Sequence, residues 1–153
     1  MQLSDIICEE AICTAVQVKS KEEAVRVLLL RLVEAGKLAA EQLEPVLRAV
    51  LEREALGSTA IGRGVAVPHA RVRGIERTVM AVGLSDTGVQ FDALDGEAVH
   101  ALFLIIGPDK DADDYLAALE KISRLIHNRD FRRFLSLTRT GREALELIAE
   151  MDA

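Results

Sequence analysis

Apolar residues recur every three or four positions in four stretches of the chain, the spacing that places them along one face of a helix. Two of these stretches open with a capping box, Ser20 with Glu23 and Thr140 with Glu143, in which a hydroxyl and a carboxylate can bond to free backbone groups. The pattern also indicates a short helix over residues 131–137. The four longer predicted helices cover residues 20–36, about 40–55, 115–126 and 140–151.

Other stretches are apolar or β-branched without the helical spacing. Residues 12–18 (ICTAVQV) predict a short strand, and residues 78–85 (TVMAVGLS) and 99–107 (VHALFLIIG) predict two more. The last two do not alternate between apolar and polar positions, which is typical of strands covered on both faces. Together with the helices, they predict an α/β domain with a helix-flanked sheet. A length of 153 residues fits one domain, residues 1–153.

Composition and charge exclude several classes of function. Aromatic residues make up 3% of the chain, so there are few platforms on which nucleobases could stack. The net charge is −6 and the basic residues are scattered, which argues against nucleic acid as a ligand and fits a basic protein partner.

Cysteine usage and hydropathy indicate a compartment. Cys8 and Cys13 show neither CxxC spacing nor a companion His/Cys cluster, so we interpret them as reduced thiols and expect no metal. The N-terminus is acidic, without the features of a signal peptide, and no apolar stretch approaches the roughly 20 residues that span a bilayer. These features predict a cytoplasmic protein without membrane insertion.

The segment GSTAIGRGVAVPHAR (57–71) is the strongest candidate for chemistry. Its glycines allow the backbone to approach a bound group, and its N–H groups can cradle phosphate oxygens. Arg53 precedes this segment, Arg63 and Arg71 lie within it, and guanidinium groups match phosphate geometry. His69 follows Pro68, and a neutral imidazole has a lone pair that can accept a phosphoryl group. From this pattern alone, a phosphate site and a purely structural turn both remain open.

Other readings of the same residues are weaker. The segment contains neither the P-loop string nor the dinucleotide fingerprint. Nothing in the spacing brings Cys8 or Cys13 to His69 for nucleophilic catalysis. His100 is interpreted as a strand residue and His127 as a solvated residue at a helix end.

The string LEREALGSTAIGRGVAVPHAR (51–71) closely resembles the active-site segment of enzyme IIA domains of the fructose/mannitol class in the bacterial sugar phosphotransferase system. The resemblance extends over nearly the whole chain. It implies a central mixed β-sheet flanked by helices on both faces, and acceptance of a phosphoryl group from an HPr-like phosphohistidine protein. It further implies that His69 is the phosphorylated residue, through the ring nitrogen farther from the backbone, without a cofactor. Arg53 matches an arginine that steadies the phosphoryl oxygens, and Ser58, Thr59 and Arg71 match positions that shape the pocket.

The sequence departs from this family at Tyr115, which stands where sugar-transporting members usually carry a second histidine. A phenol can donate one hydrogen bond to phosphate but carries no cationic charge at neutral pH; Tyr115 could equally only pack against Leu119. The departure, and the lack of fused IIB or IIC domains in this chain, favour a regulatory protein of the nitrogen branch. The alternatives are a transport subunit that passes phosphate to a IIB cysteine, and a binding module that has lost transfer.

Overall fold

The computed structural model describes residues 1–152. The helices within them are α1 (Leu3–Ile6), α2 (Lys21–Glu34), α3 (Leu43–Ala55), α4 (Asp113–Ile126), α5 (Arg129–Leu137) and α6 (Gly141–Met151), with a short 3₁₀ turn at Ala40–Gln42. The strands are β1 (Ile7–Cys13), β2 (Ala60–Gly62), β3 (Val65–Ala66), β4 (His69–Val72), β5 (Val79–Val89) and β6 (Val99–Pro108).

These strands form one mixed sheet in the order β1-β5-β6-β3-β2, and β4 also pairs with β6. The β5–β6 and β2–β3 pairs are antiparallel, whereas β1 on β5, and β3 and β4 on β6, are parallel. The central strands β5 and β6 are almost wholly buried, as their unbroken apolar runs predict. The predicted α/β fold with a mixed sheet is confirmed.

Helices cover both faces of the sheet, and each face has its own apolar core. One core joins α2 and α3 to the sheet, with Leu28, Val46 and Leu102 among its buried side chains. The other joins α1, α4, α5 and α6 to the opposite face, around Phe103 and Phe131. Alternate residues of β6 therefore serve different cores, which is how one strand supports two layers.

The two predicted capping residues begin helices as expected. The Ser20 hydroxyl accepts a hydrogen bond from the Glu23 N–H at 3.2 Å, and the Thr140 hydroxyl accepts one from the Glu143 N–H at 3.1 Å. The short helix predicted over residues 131–137 begins slightly earlier, at Arg129, because the Asn128 side chain caps it.

The strand predicted over residues 12–18 is wrong in its position, since β1 ends at Cys13. Glu9 and Glu10 are exposed within β1, and these two charged residues interrupt the apolar pattern by which a strand is recognised. Val16 lies beyond the end of β1, but its side chain is buried, which explains its apolar character. Its N–H donates a hydrogen bond to the Leu84 carbonyl.

The glycine-rich segment forms three short strands, of which β3 and β4 run along one edge of β6 and β2 pairs with β3. β2 and β3 form an antiparallel hairpin whose turn holds Arg63 at a positive φ of 60°. β3 and β4 then follow each other along β6, interrupted only by Val67 and Pro68. This arrangement places His69 at the first position of β4, opposite Ile105.

None of the helices in residues 1–152 combines the length and the apolar character that a membrane span requires.

Candidate active site around His69

Strand alternation decides which side of the sheet His69 faces. Ala70 and Val72 belong to the core under α2 and α3. Successive side chains of a strand point to opposite faces, so His69 and Arg71 face the α4 side. Tyr115 of α4 is the aromatic neighbour there, with its ring centroid 6.2 Å from that of His69 and the two rings tilted by 58°.

The His69 ring is held through one nitrogen. Its Nδ1 lies 2.7 Å from the Val67 carbonyl oxygen. A carbonyl can only accept a hydrogen bond, so Nδ1 carries the proton and the lone pair of the neutral ring lies on Nε2. Nε2 has no hydrogen-bond partner within residues 1–152, and the half-buried ring lines an open pocket.

The surroundings favour the neutral ring. Burial lowers the pKa of His69 below its ordinary value, and the positive charge of Arg53 lowers it further. The Val67 hydrogen bond and the Glu54 carboxylate act in the opposite direction. Because the net shift is downward, the ring keeps a free lone pair at neutral pH.

Arg53 is positioned by the end of α3. Its Nη1 donates to the Gly57 carbonyl at 2.9 Å, which holds the guanidinium across the last turn of the helix. It lines the same pocket as His69, and its remaining N–H groups are available to an anion. The structure therefore brings together the histidine and the arginine that the sequence singled out.

The pocket over His69 has a volume of about 390 Å³ and opens to solvent. Its rim is partly apolar, since Ile61 is half exposed and Leu119 partly exposed beside it. An open pocket with a polar centre and apolar edges suits a group presented by another protein. The lining residues are Arg53, Ser58, Thr59, Ile61, Val67, His69, Leu119, Glu120, Ser123 and Ile126.

Ser58 and Thr59 line this pocket, but their hydroxyl groups are engaged within the protein. The Ser58 hydroxyl donates to the Phe91 carbonyl at 2.7 Å and accepts from the Ala60 N–H. The Thr59 hydroxyl donates to the Glu54 carboxylate, and its N–H donates to the other carboxylate oxygen at 3.2 Å. Both residues therefore fix the loop that passes beneath His69.

Sequence reasoning did not single out Glu54, although its side chain is only 3% exposed. No ion pair of residues 1–152 includes it, and Thr59 supplies its hydrogen bonds. A buried carboxylate held by the loop after its own helix ties α3 to that loop. The sequence signal that could have pointed to Glu54 is its position next to Arg53, three residues before the glycine-rich segment.

Arg71 and Tyr115 lie on the far side of the His69 ring. The Arg71 guanidinium donates to the Pro108 and Asp109 carbonyls, at 3.2 and 2.6 Å, so it braces the loop before α4. Tyr115 is 4% exposed and packs closely against Gly107, where an added Cβ would approach the ring to 2.5 Å. Burial raises the pKa of Tyr115 to about 12, so the phenol stays neutral.

This chain matches, over residues 5–151, the model of the family described as phosphoenolpyruvate-dependent sugar phosphotransferase system, EIIA 2. It belongs to that family. Members are phosphotransferase components that act as phosphoryl carriers, so the resemblance noted in residues 51–71 is confirmed.

Both nitrogen-regulatory and sugar-specific proteins are similar to this EIIA protein. It is 32% identical to a nitrogen regulatory protein of Bradyrhizobium diazoefficiens, covering 97% of this chain and 95% of that protein. It is 29% identical to the fructose-specific EIIABC component of Bacillus subtilis, covering 99% of this chain and 24% of that protein. The crystal structure of nitrogen regulatory protein IIA-Ntr from Neisseria meningitidis superposes with a TM-score of 0.86 at 27% identity, covering 95% of this chain and 98% of that one.

Arg63 and the other two histidines of this EIIA protein lie away from the pocket over His69. Arg63 sits in the turn between β2 and β3 and lines a different pocket, beside His100. The Nδ1 atom of His100 lies 2.8 Å from the Ser85 carbonyl, and that of His127 faces the Ser123 carbonyl at 2.5 Å. Of the three arginines in or just before the glycine-rich segment 57–71, only Arg53 lines the pocket over His69.

Proposed function

We propose that this EIIA protein accepts a phosphoryl group on Nε2 of His69 from the phosphohistidine of an HPr-like carrier. The observation that carries the proposal is the ring itself, whose Nδ1–H is fixed by Val67 while Nε2 faces an open pocket that Arg53 also lines. The pKa of His69, lowered by burial, supports a neutral nucleophile at neutral pH.

The transfer is an in-line exchange of one N–P bond for another. The Nε2 lone pair attacks phosphorus, the bond between phosphorus and the donor's imidazole breaks, and its electron pair returns to that imidazole. The His69 Nδ1–H stays in place, so the ring becomes positively charged as the phosphoryl group arrives. Arg53 stabilises the negative charge on the three phosphoryl oxygens.

A protein donor fits the shape of the surface. Ile61 and Leu119 surround the pocket with apolar surface, which a partner's apolar residues could cover as the phosphohistidine enters. The net charge of −6 favours a partner with a basic face. We infer that residues 1–153 act as one domain in this exchange and that the protein is cytoplasmic.

The labelling experiment uses the full chain, enzyme I, phosphoenolpyruvate and an HPr-type carrier. We expect an acid-labile phosphate on the wild type, and its complete loss in His69→Ala. His100→Ala and His127→Ala are matched controls, because in both residues Nδ1 also faces a backbone carbonyl. Labelling that survives in His69→Ala, or that is lost in either control alone, would show that another residue is the acceptor.

We further infer that phosphorylation serves as a regulatory signal rather than as a step in sugar transport. Support comes from Tyr115, a buried and neutral residue where transport members usually carry a second histidine. The identity to nitrogen regulatory proteins points the same way.

This regulatory role is tested with a IIB domain. Labelled protein mixed with the domain should keep its phosphate, and Tyr115→His should allow measurable transfer to the IIB cysteine. Rapid transfer from the wild-type protein would favour the transport role instead.

A further inference from the structure

A second pocket lies at the opposite end of β6 from His69. It has a volume of about 290 Å³ and lies between the start of β6, the end of β5 and α5. Leu84 and Ala101, which are 9% and 8% exposed, belong to its apolar lining, and the Phe103 and Phe131 rings are fully buried among the residues around it. Such a lining can cover one face of a small ring or aliphatic chain.

The rim of this pocket is cationic. Arg63, Arg132 and Arg139 line it, and none of them forms an ion pair within residues 1–152. Arg132 donates one N–H to the Ile126 carbonyl, whereas the Arg63 and Arg139 side chains make no hydrogen bond in that part of the chain. Asp86 is the carboxylate on the lining. An excess of positive charge at one pocket of a protein with a net charge of −6 favours an anionic occupant.

His100 adds a directional group at the same rim. Its Nδ1 donates to the Ser85 carbonyl at 2.8 Å, which leaves Nε2 free at the pocket. Gly88 makes room for this ring, because a Cβ there would lie 3.2 Å from His100 Cε1 and 2.7 Å from the Ala98 Cβ. The ring is thus held by the fold rather than placed by chance on the surface.

This pocket is separate from the one over His69. No residue lines both. His69 pairs with Ile105, five positions along β6 from His100, which corresponds to about 16 Å. An occupant of the second pocket would not contact the phosphorylated residue.

We propose that this second pocket binds a small organic anion, with its apolar body against Leu84 and Ala101 and its carboxylate or phosphate group at Arg63 and Arg139. Apolar side chains and guanidinium groups line the same cavity, so both parts of such a molecule are satisfied at once. A bare inorganic ion would not contact the apolar lining, and a neutral ring would not pair with the arginines. The proposal does not depend on phosphoryl transfer at His69.

The experiment titrates the full, isotopically labelled chain with phenyl phosphate and with benzoate, and follows backbone amides by NMR. We expect saturable shifts at Gly64, Ala101 and Leu135. Phenol has the apolar ring without the anionic group, and inorganic phosphate has the anionic group without the ring. Each should bind at least about tenfold more weakly than phenyl phosphate. If only one of the two anionic probes binds, the anionic group that the rim selects is identified.

Single arginine variants locate the anion. Arg63→Gln and Arg139→Gln should each weaken phenyl phosphate binding about tenfold, the value of one charge-assisted hydrogen bond. Arg133→Gln is the control, since Arg133 is exposed on α5 and does not line the pocket. The proposal is overturned if neither phenyl phosphate nor benzoate gives saturable shifts, or if the shifts are confined to the residues around His69. Equal binding of inorganic phosphate, or unchanged affinity in both arginine variants, would overturn it too.

Discussion

His100 lies near the start of the central strand β6 and His69 lies on β4, opposite Ile105 of the same strand, and the two rings are held in the same way. In each, Nδ1 donates to a backbone carbonyl, that of Val67 or Ser85, and Nε2 faces a pocket. The surroundings differ. His69 is half buried beside Arg53 and above a buried Glu54, whereas His100 is exposed at the rim of an apolar cavity.

If His69 is the phosphoryl acceptor, as we propose, the comparison indicates that fixing the tautomer does not by itself make one. The hydrogen bond to a carbonyl selects which nitrogen is nucleophilic, and it is present in both histidines. What is particular to His69 is a neutral ring maintained by burial, with a guanidinium placed for the incoming charge. At the His100 end, guanidinium groups and apolar side chains line the same cavity, an arrangement for binding rather than for transfer.

The largest expected effect is at Arg53. Arg53→Ala removes the guanidinium that lines the His69 pocket, and we expect phosphoryl acceptance to slow about 10²-fold, the usual loss when one preorganised donor is removed. Arg71→Ala should slow it by less than about tenfold. The Arg71 guanidinium is occupied by the Pro108 and Asp109 carbonyls. Single-turnover labelling from a phosphorylated HPr-type donor measures both rates.

A reversed order would contradict this assignment. If the Arg71→Ala variant accepts the phosphoryl group more slowly than the Arg53→Ala variant, Arg71 stabilises the transferring group. Arg53 would then only hold the end of α3 through its hydrogen bond to Gly57. Arg63→Ala is the matched control from the other end of the strand, and it should label at the wild-type rate.

The next effect concerns Tyr115, the aromatic neighbour of His69 on α4. Gly107→Ala would drive a methyl group into its ring, at 2.5 Å from Cδ1, so we expect a loss of about 2–3 kcal/mol in the free energy of unfolding. In a Tyr115→Ala background the same substitution should cost clearly less, because the ring atoms at 2.5 and 2.8 Å are gone and only the contact with the Cβ of position 115, at 2.9 Å, remains. Urea denaturation of the four proteins gives the coupling free energy.

Gly88 at the His100 end provides the contrast. Its φ is +89° and a Cβ there would also meet Ala98, so Gly88→Ala should remain costly when His100 is replaced by Ala. If the Gly107 and Tyr115 substitutions were simply additive, the tyrosine would not rest on the glycine as described.

Much of this architecture could be predicted from the sequence, for reasons visible in particular residues. Ser20 and Thr140 begin helices because a hydroxyl followed three positions later by Glu satisfies free N–H groups locally. β5 and β6 were predicted because strands buried on both faces must be apolar throughout. By contrast, β1 carries two exposed glutamates, and its place beside β5 depends on long-range pairing that no local pattern encodes.

The residues of the candidate site also differ in how well a local sequence pattern predicts their positions. Arg53 and His69 belong to a recognisable segment, and the structure brings them together. Arg63 lies nearer to His69 in the sequence, yet the reversal between β2 and β3 carries it to the other pocket. Glu54 was missed because nothing in the pattern distinguishes a buried carboxylate held by a later threonine from an exposed one on a helix.

A smaller effect is expected when Glu54 loses a donor. Thr59→Val keeps the shape of the side chain but removes the hydroxyl that donates to the buried carboxylate. We expect a loss of about 1–2 kcal/mol in the free energy of unfolding, the cost of leaving a buried acceptor unsatisfied. Thr78→Val is the control, since Thr78 is largely buried but its hydroxyl is reached by solvent and makes no hydrogen bond within residues 1–152; it should change stability by less than about 0.5 kcal/mol. Equal losses would mean that the Thr59–Glu54 contact contributes nothing beyond packing.

The smallest effect is on the titration of His69. Burial and then Arg53 lower its pKa, so the folded protein binds this proton less readily than the unfolded chain does. The His69 contribution to stability is therefore constant above the unfolded pKa of about 6.5, and it becomes unfavourable as the pH falls below that value towards the lowered folded pKa. Arg53→Ala should raise the pKa of His69 towards its ordinary value, whereas Arg48→Ala, an exposed substitution on the same helix, should leave it unchanged. An NMR titration of the imidazole nitrogens measures both shifts. A pKa that is already ordinary in the wild type, or that does not rise in Arg53→Ala, would contradict the described effects of burial and of Arg53 on His69.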